Sequence, residues 1–213
     1  MLIFAYAAAI FAATRPAIDS VTIPSLATAP IIDGRVSDRE YGAPTRRITT
    51  AAGDVTVWMT RSNGFVHIAA LLPDTSFYWG DDFVVSLDAD GSGGESPGPG
   101  DRQWYFRRTL DSSVVLTAQN GRWEAPGQAP PMLGAARRGP DWEVASSSSA
   151  TEWIVELRVR ESSIKTGSNA PRIALRTYNS DPRGWWSWPA PPPGTPAQRV
   201  ERTPDLWANI FWR

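Results

Sequence analysis

Val55-Thr56-Val57-Trp58-Met59-Thr60-Arg61, then Ser62-Asn63-Gly64, then Phe65-Val66-His67-Ile68-Ala69-Ala70-Leu71-Leu72 is the stretch that decides the fold. The first run alternates and favours β-branched residues, which suit a pleated surface. The second follows at once, and Asn-Gly between them supplies the positive φ of a tight hairpin turn. Outward from this hairpin the same pattern repeats. Asp82–Asp88 (DFVVSLD), Gln103–Thr109, Ser113–Thr117, Glu152–Val159, Arg172–Tyr178 and Leu206–Trp212 all read as strands. In Glu152–Val159, Trp153, Val155, Leu157 and Val159 alternate against Glu152, Ile154, Glu156 and Arg158. Short strands split by Gly, Pro, Asp and Ser predict an all-β chain, an antiparallel, jelly-roll-like β-sandwich. Ser162–Lys165 reads as one turn of helix. Ala89–Asp101, Ala125–Pro140 and Asp181–Pro204 lack periodicity and read as loops, where such folds place function. Residues 21–213 form one binding domain, with no internal repeat.

Composition narrows the chemistry. The chain has 213 residues and a formal charge of −1, with its 21 Lys and Arg scattered, so it carries no basic field for nucleic acid. With no Cys, thiolate catalysis, disulfides and Cys-based zinc sites are excluded; with one His, His67, so is a cluster of His ligands. Eleven Trp are more than a core alone requires, and an indole face with one N–H suits a sugar ring or a partner protein. About half of them are expected in the core.

Residues 1–20 open with an apolar run, MLIFAYAAAIFAA, uncharged before Arg15. It is shorter than the roughly 20 apolar residues of a membrane-spanning helix, and it lacks a basic leader. A cleaved export signal, a retained membrane tether and a buried first element all remain open. As a tether, Leu2, Ile3, Phe4, Tyr6, Ile10 and Phe11 would make the contact. The segment points to a periplasmic or extracellular, membrane-associated protein.

Several motifs, in order, resemble one family. Pro30-Ile31-Ile32-Asp33-Gly34 followed by Asp38-Arg39-Glu40-Tyr41 resembles the opening of family-nine carbohydrate-binding modules and related DOMON-like domains, with Tyr41 in the place of a Trp. Pro73-Asp74 reverses the family's Asp-Pro after its paired strands. Trp79-Gly80-Asp81-Asp82 with the strand to Asp88, then Asp101-Arg102-Gln103-Trp104, Trp185–Pro189 (WWSWP) and Pro204–Ile210 (PDLWANI), extend the likeness over residues 29–213. The resemblance implies a sugar clamped between two Trp side chains. Trp79 matches one position, and Trp185, Trp186 or Trp188 would supply the other from the adjacent loop. Gln103 is retained and Arg107 lies nearby, so Gln103, Tyr105 and Arg107 join the candidate contacts. The chain departs from the family at Val85, where sugar-binding members carry Glu, and at Tyr105, where they carry Arg. Relatives often bind calcium, and Asp88, Asp90 and Asp101 offer oxygen ligands, although acidic turn residues without an ion are the plainer reading. Some DOMON-like relatives hold haem with Met and His or Lys. Met59 and His67 lie on successive strands, but a satisfied structural His is the simpler reading.

Adjacent Asp81 and Asp82 face opposite sides of a strand, so they form no acid–base pair and read as loop-edge carboxylates. No Ser-His-Asp order or phosphate loop is present. A glycosidase or lyase therefore ranks last. The leading expectation is a non-catalytic accessory subunit docked on a membrane complex, respiratory or photosynthetic in type, through the N-terminal segment and the Trp-rich loops. The alternative is a carbohydrate-binding protein gripping a sugar between Trp79 and a Trp of residues 185–188.

Overall fold

The computed structural model describes residues 18–76, 78, 80–108, 112–125 and 138–213. In chain order the elements are Ser20–Ile23 (β1), Asp38–Tyr41 (α1), Arg46–Thr50 (β2), Gly53–Ser62 (β3), Phe65–Pro73 (β4), Asp82–Asp88 (β5) and Arg102–Arg107 (β6). Then come Ser112–Gln119 (β7), Arg122–Glu124 (β8), Trp142–Ser148 (β9), Glu152–Arg160 (β10), Glu161–Ile164 (α2), Arg172–Ser180 (β11), Arg183–Trp188 (β12), Ala197–Val200 (α3) and Ala208–Trp212 (β13).

Two sheets face each other. The larger runs β1-β13-β11-β5-β6-β7-β8, with β12 also on β11; the smaller runs β2-β3-β4-β10-β9. The expected hairpin is β3–β4, with Asn63 at φ 49° and Gly64 at φ 76° in its turn. Among the described strands the sandwich is antiparallel as expected, with one parallel pair, β1–β13, and an isolated parallel bridge between Ser25 and Arg61. The strands alternate as the sequence implied. Val57, Met59, Ile68, Ala70, Val155 and Leu157 of the smaller sheet meet Phe83, Val85, Leu87, Trp104 and Leu175 of the larger in one core.

Period-two geometry also sends residues to the two outer faces. On the smaller sheet, Glu156 is fully buried there beneath the 33–41 segment. It accepts the backbone N–H of Asp33 at 2.9 Å, that of Gly34, and the Tyr41 hydroxyl. Gly34 sits at φ +83°, and a Cβ there would meet the Ser146 backbone at 3.1 Å, so glycine is required. The opening motif thus works as a cap on a buried carboxylate. Burial raises Glu156 to about 7, held from going higher by those three donors.

At the other sheet end, Arg108 and Asp74 form an ion pair at 2.5 Å with both side chains almost fully buried. Arg108 also donates to Ser148 Oγ at 3.1 Å and the Ser149 carbonyl at 2.8 Å. Asp74, the residue of the reversed Asp-Pro motif, therefore ties the two sheets together.

Candidate functional site

The outer face of the larger sheet carries the candidate groove. On β6, Trp104 and Phe106 enter the core, which turns Gln103, Tyr105 and Arg107 outward. On β5 the outward residues are Asp82, Val84 and Ser86, and on β11 they include Arg176 and Tyr178. The register places Asp82 opposite both Arg107 and Tyr178, and Tyr178 opposite Trp185 of β12. A recess of about 360 Å³ follows, lined by Tyr78, Asp82, Tyr105, Arg107, Tyr178 and Trp185.

Its walls are aromatic. Tyr78 is 51% exposed and Trp185 37%, and the Tyr178 and Trp185 rings lie 4.4 Å apart. Its floor is ionic. Arg176, 3% exposed, donates from Nη1 to Asp82 Oδ1 at 2.6 Å and from Nε to Glu201, with its guanidinium 4.6 Å from the Trp185 ring centroid. The Tyr105 hydroxyl donates to Asp82 Oδ2 at 2.6 Å, and Arg107 Nη2 donates to that hydroxyl at 3.0 Å. Burial raises Asp82 to about 6, while Arg176 and the Tyr105 hydroxyl hold it from going higher, so it is ionised at neutral pH. Burial, then the Asp82 charge, raise the Tyr105 phenol, which therefore remains a donor. The groove presents apolar ring faces beside fixed hydrogen-bonding groups, the pairing a sugar's C–H face and hydroxyls need.

Of the residues the sequence singled out, Tyr105, Arg107 and Trp185 meet in this groove. Trp79 lies outside the described residues, between Tyr78 and Gly80, which both line the recess. Three assignments need correction. Gln103 is 3% exposed and donates to Ser86 Oγ at 3.0 Å, beneath the surface rather than in the groove. Trp186 packs against the core and Trp188, 8% exposed, lies in it. The reason is that Arg183–Trp188 is a strand rather than a loop, so Trp185 and Trp186 point to opposite faces. Val85 also points into the core, so it does not occupy a ligand position; the outward residues of β5 are its neighbours.

Asp81 and Asp82 face opposite ways as expected, but both are buried rather than edge carboxylates, at 0% and 2% exposure. Asp81 accepts the Ser180 N–H at 2.7 Å, fixing the turn beside the groove. The sequence missed Arg176, Tyr178 and Tyr78. Arg176 and Tyr178 share parity on a strand that was recognised, but nothing local says that this face meets Asp82 and Trp185.

Asp88, Asp90 and Asp101 converge, with one carboxylate oxygen from each within 4.8 Å of the others. Asp88 and Asp101 are essentially unexposed. Asp88 accepts backbone N–H groups of Gly91 and Gly93 at 2.7 and 2.8 Å, and Asp101 accepts that of Gly98 at 2.8 Å. Burial raises Asp101 to about 7, with the Asp88 and Asp90 charges adding to it. Three crowded carboxylates on a closed loop are the donor set a hard cation takes. Asp88 and Asp82 stand at opposite ends of β5, roughly 20 Å apart at ~3.3 Å per residue, so such an ion would hold the loop without touching the groove.

Met59 pairs with Ile68 and enters the core, while His67 pairs with Thr60 on the opposite face. The two side chains therefore cannot grip one haem iron. His67 instead shares a 3.0 Å hydrogen bond with Ser62 Oγ, and burial, then the Arg158 charge, lower it to about 4. The N-terminal tether residues, Leu2, Ile3, Phe4, Tyr6, Ile10 and Phe11, lie outside the described residues. Among the described residues, no helix is long and apolar enough to cross a membrane.

No protein-family model matches the chain, and no curated protein matches it in sequence. Solved structures do. A family-nine carbohydrate-binding module from Caldicellulosiruptor kristjanssonii in complex with cellotriose superimposes with a TM-score of 0.56 at 14% identity, covering 92% of this chain and 94% of that one. A structure of a family-nine module from the same organism with glucose gives the same score and identity, over 90% and 95%. The cytochrome domain of Myriococcum thermophilum cellobiose dehydrogenase reaches only 0.28 at 10% identity over 76% and 80%. Across nearly its whole described length, this chain has the β-sandwich fold of the family-nine carbohydrate-binding modules.

Proposed function

We propose that this protein is a non-catalytic, extracytoplasmic carbohydrate-binding module whose ligand lies in the groove of Tyr78, Tyr105, Arg107, Tyr178 and Trp185. The observation that carries this reading is the exposed Trp185 ring, backed by Arg176 and flanked by Tyr178, above an ionic floor. It supplies both a stacking face and charged hydrogen-bond partners. The sandwich's likeness to modules solved with cellotriose and glucose supports the same reading. Calorimetric titration with glucose and cello-oligosaccharides tests it. Binding should be saturable and should weaken at least about tenfold in Trp185→Ala, the loss expected on removing a central aromatic contact. Binding that is absent, or unmoved by Trp185→Ala, rejects the groove.

Asp88, Asp90 and Asp101 are proposed to hold a structural calcium ion that fixes the 89–101 loop. Docking on a membrane complex is the second reading. Of its Trp contacts, Trp185 is exposed while Trp186 and Trp188 are committed to the core. Isolation from native membranes tests it, since a docked subunit co-purifies with a large assembly and a free module does not.

A further inference from the structure

A second aromatic recess lies on the same sheet face, at the far end from the groove. Trp123 of β8 stacks on Trp207 with planes 6° apart and centroids 6.3 Å apart. Trp207 is fully buried, and its Nε1 donates to the Val200 carbonyl at 2.6 Å. Trp123 Nε1 donates to the Glu201 carbonyl at 3.1 Å. Both indole donors are thus spent within the chain, and the orientation of Trp123 is fixed before any ligand arrives. Trp123 is half-buried and forms a wall of an open recess of about 420 Å³, with Pro97, Gly121, Arg122 and Arg202.

The charge at this recess is positive. The Arg202 side chain is 73% exposed and lies 3.6 Å from Glu201, whose other oxygen is already bound by Arg176. Arg122 is exposed, with no ion pair among the described residues. The acidic cluster of the neighbouring loop accepts its own amides, those of Gly91, Gly93 and Gly98. A held indole with no spare donor offers an apolar plate, and two guanidiniums recognise carboxylate or sulfate oxygens.

We infer that the Trp123 recess is a second binding site, for an acidic saccharide unit that stacks on Trp123 and meets with its carboxylate or sulfate the basic rim to which Arg122 and Arg202 contribute. The recess opens at the opposite end of the strands from the groove, and the two share Glu201, which pairs with Arg176 in the groove floor and with Arg202 here. An acidic unit gains charge-assisted hydrogen bonds to the two guanidiniums that a neutral sugar does not make, so the recess favours acidic saccharides.

The test is a titration of the ¹⁵N-labelled full chain, read at the indole N–H signals, with the Trp123 and Trp185 peaks assigned through Trp123→Phe and Trp185→Phe. Oligogalacturonate and dextran sulfate supply the carboxylate and sulfate arms, cellopentaose is the neutral control, and single-stranded DNA is the plain polyanion. An acidic saccharide should shift the Trp123 peak, and cellopentaose should not. Arg122→Gln and Arg202→Gln, both at exposed positions and each checked for an unchanged melting midpoint, should each raise Kd about five-fold, as exposed charged contacts allow. A Trp123 peak unmoved by both acidic probes, or an affinity indifferent to both Arg substitutions, overturns the inference. An equal response to DNA does so as well, because charge alone would then explain it. The Trp185 peak reports the groove independently, so failure of either site is seen by itself.

Discussion

Asp101→Asn should stabilise the protein in chelator and weaken its response to calcium. Asp101 is 1% exposed, and burial, then the Asp88 and Asp90 charges, raise it from its ordinary 3.8 to about 7. A carboxyl whose folded pKa exceeds its unfolded value favours folding fully below pH 4, and that advantage is lost as pH rises through 7. The shift of roughly three pH units sets a ceiling of ~4 kcal/mol at ~1.4 kcal/mol per unit. In a domain of this size that is worth up to about 8–16 °C in Tm. Asn removes the charge, so in chelator at pH 8 the variant should melt above the parent, with the gap closing toward pH 5. Calcium at 100 times its Kd should raise the parent by ~2.7 kcal/mol and the variant by much less. Differential scanning calorimetry of both proteins at pH 5 and pH 8, with calcium or with chelator, reads all four conditions. Asp82 and Glu156 titrate in the same window, so the quantity to follow is the difference between variant and parent. Equal midpoints in chelator at pH 8 would refute the crowding of charge, and an equal calcium response in both would refute the ion site.

The other predictions concern positions the fold decides. His67 is the only histidine, so its ring signals in an NMR titration are unambiguous, and they should show a neutral imidazole down to about pH 4; a midpoint above 6 contradicts its burial. Because that pKa is depressed, its contribution to stability is present above pH 6.5 and lost as pH falls to 4. Tyr41→Phe removes a donor to Glu156 and should cost about 1–3 kcal/mol, more at pH 8 than at pH 5, because the hydroxyl favours the ionised carboxylate. An equal loss at both pH values in denaturant melts would show that Glu156 does not titrate there. Trp188→Ala should cost about 3–5 kcal/mol of stability as a core truncation, yet leave saccharide affinity per folded molecule unchanged. A selective loss of binding without a fall in Tm would return Trp188 to the groove.

Sequence by itself determined the strands and their inward faces. Alternation over Val55–Arg61, Phe65–Leu72, Asp82–Asp88 and Glu152–Val159 is a local signal, because successive side chains of a strand must point to opposite sides. Asn63-Gly64 fixed one hairpin for an equally local reason, the φ values its turn requires. The crowding of Asp88 and Asp90 was legible too, since one ends a strand and the other lies two residues on, in the loop that follows. The groove was legible in part. Tyr105, Arg107 and Trp185 were visible as polar or aromatic residues near family motifs, but Arg176 and Tyr178 were not. Their role depends on β11 lying between β5 and β12, a pairing between residues roughly 90 positions apart in sequence for Asp82 and Arg176. The three Trp of residues 185–188 looked equivalent in the sequence. Only the tertiary structure separated them, because pairing with β11 made that segment a strand, and a strand can offer alternate residues alone to any one face.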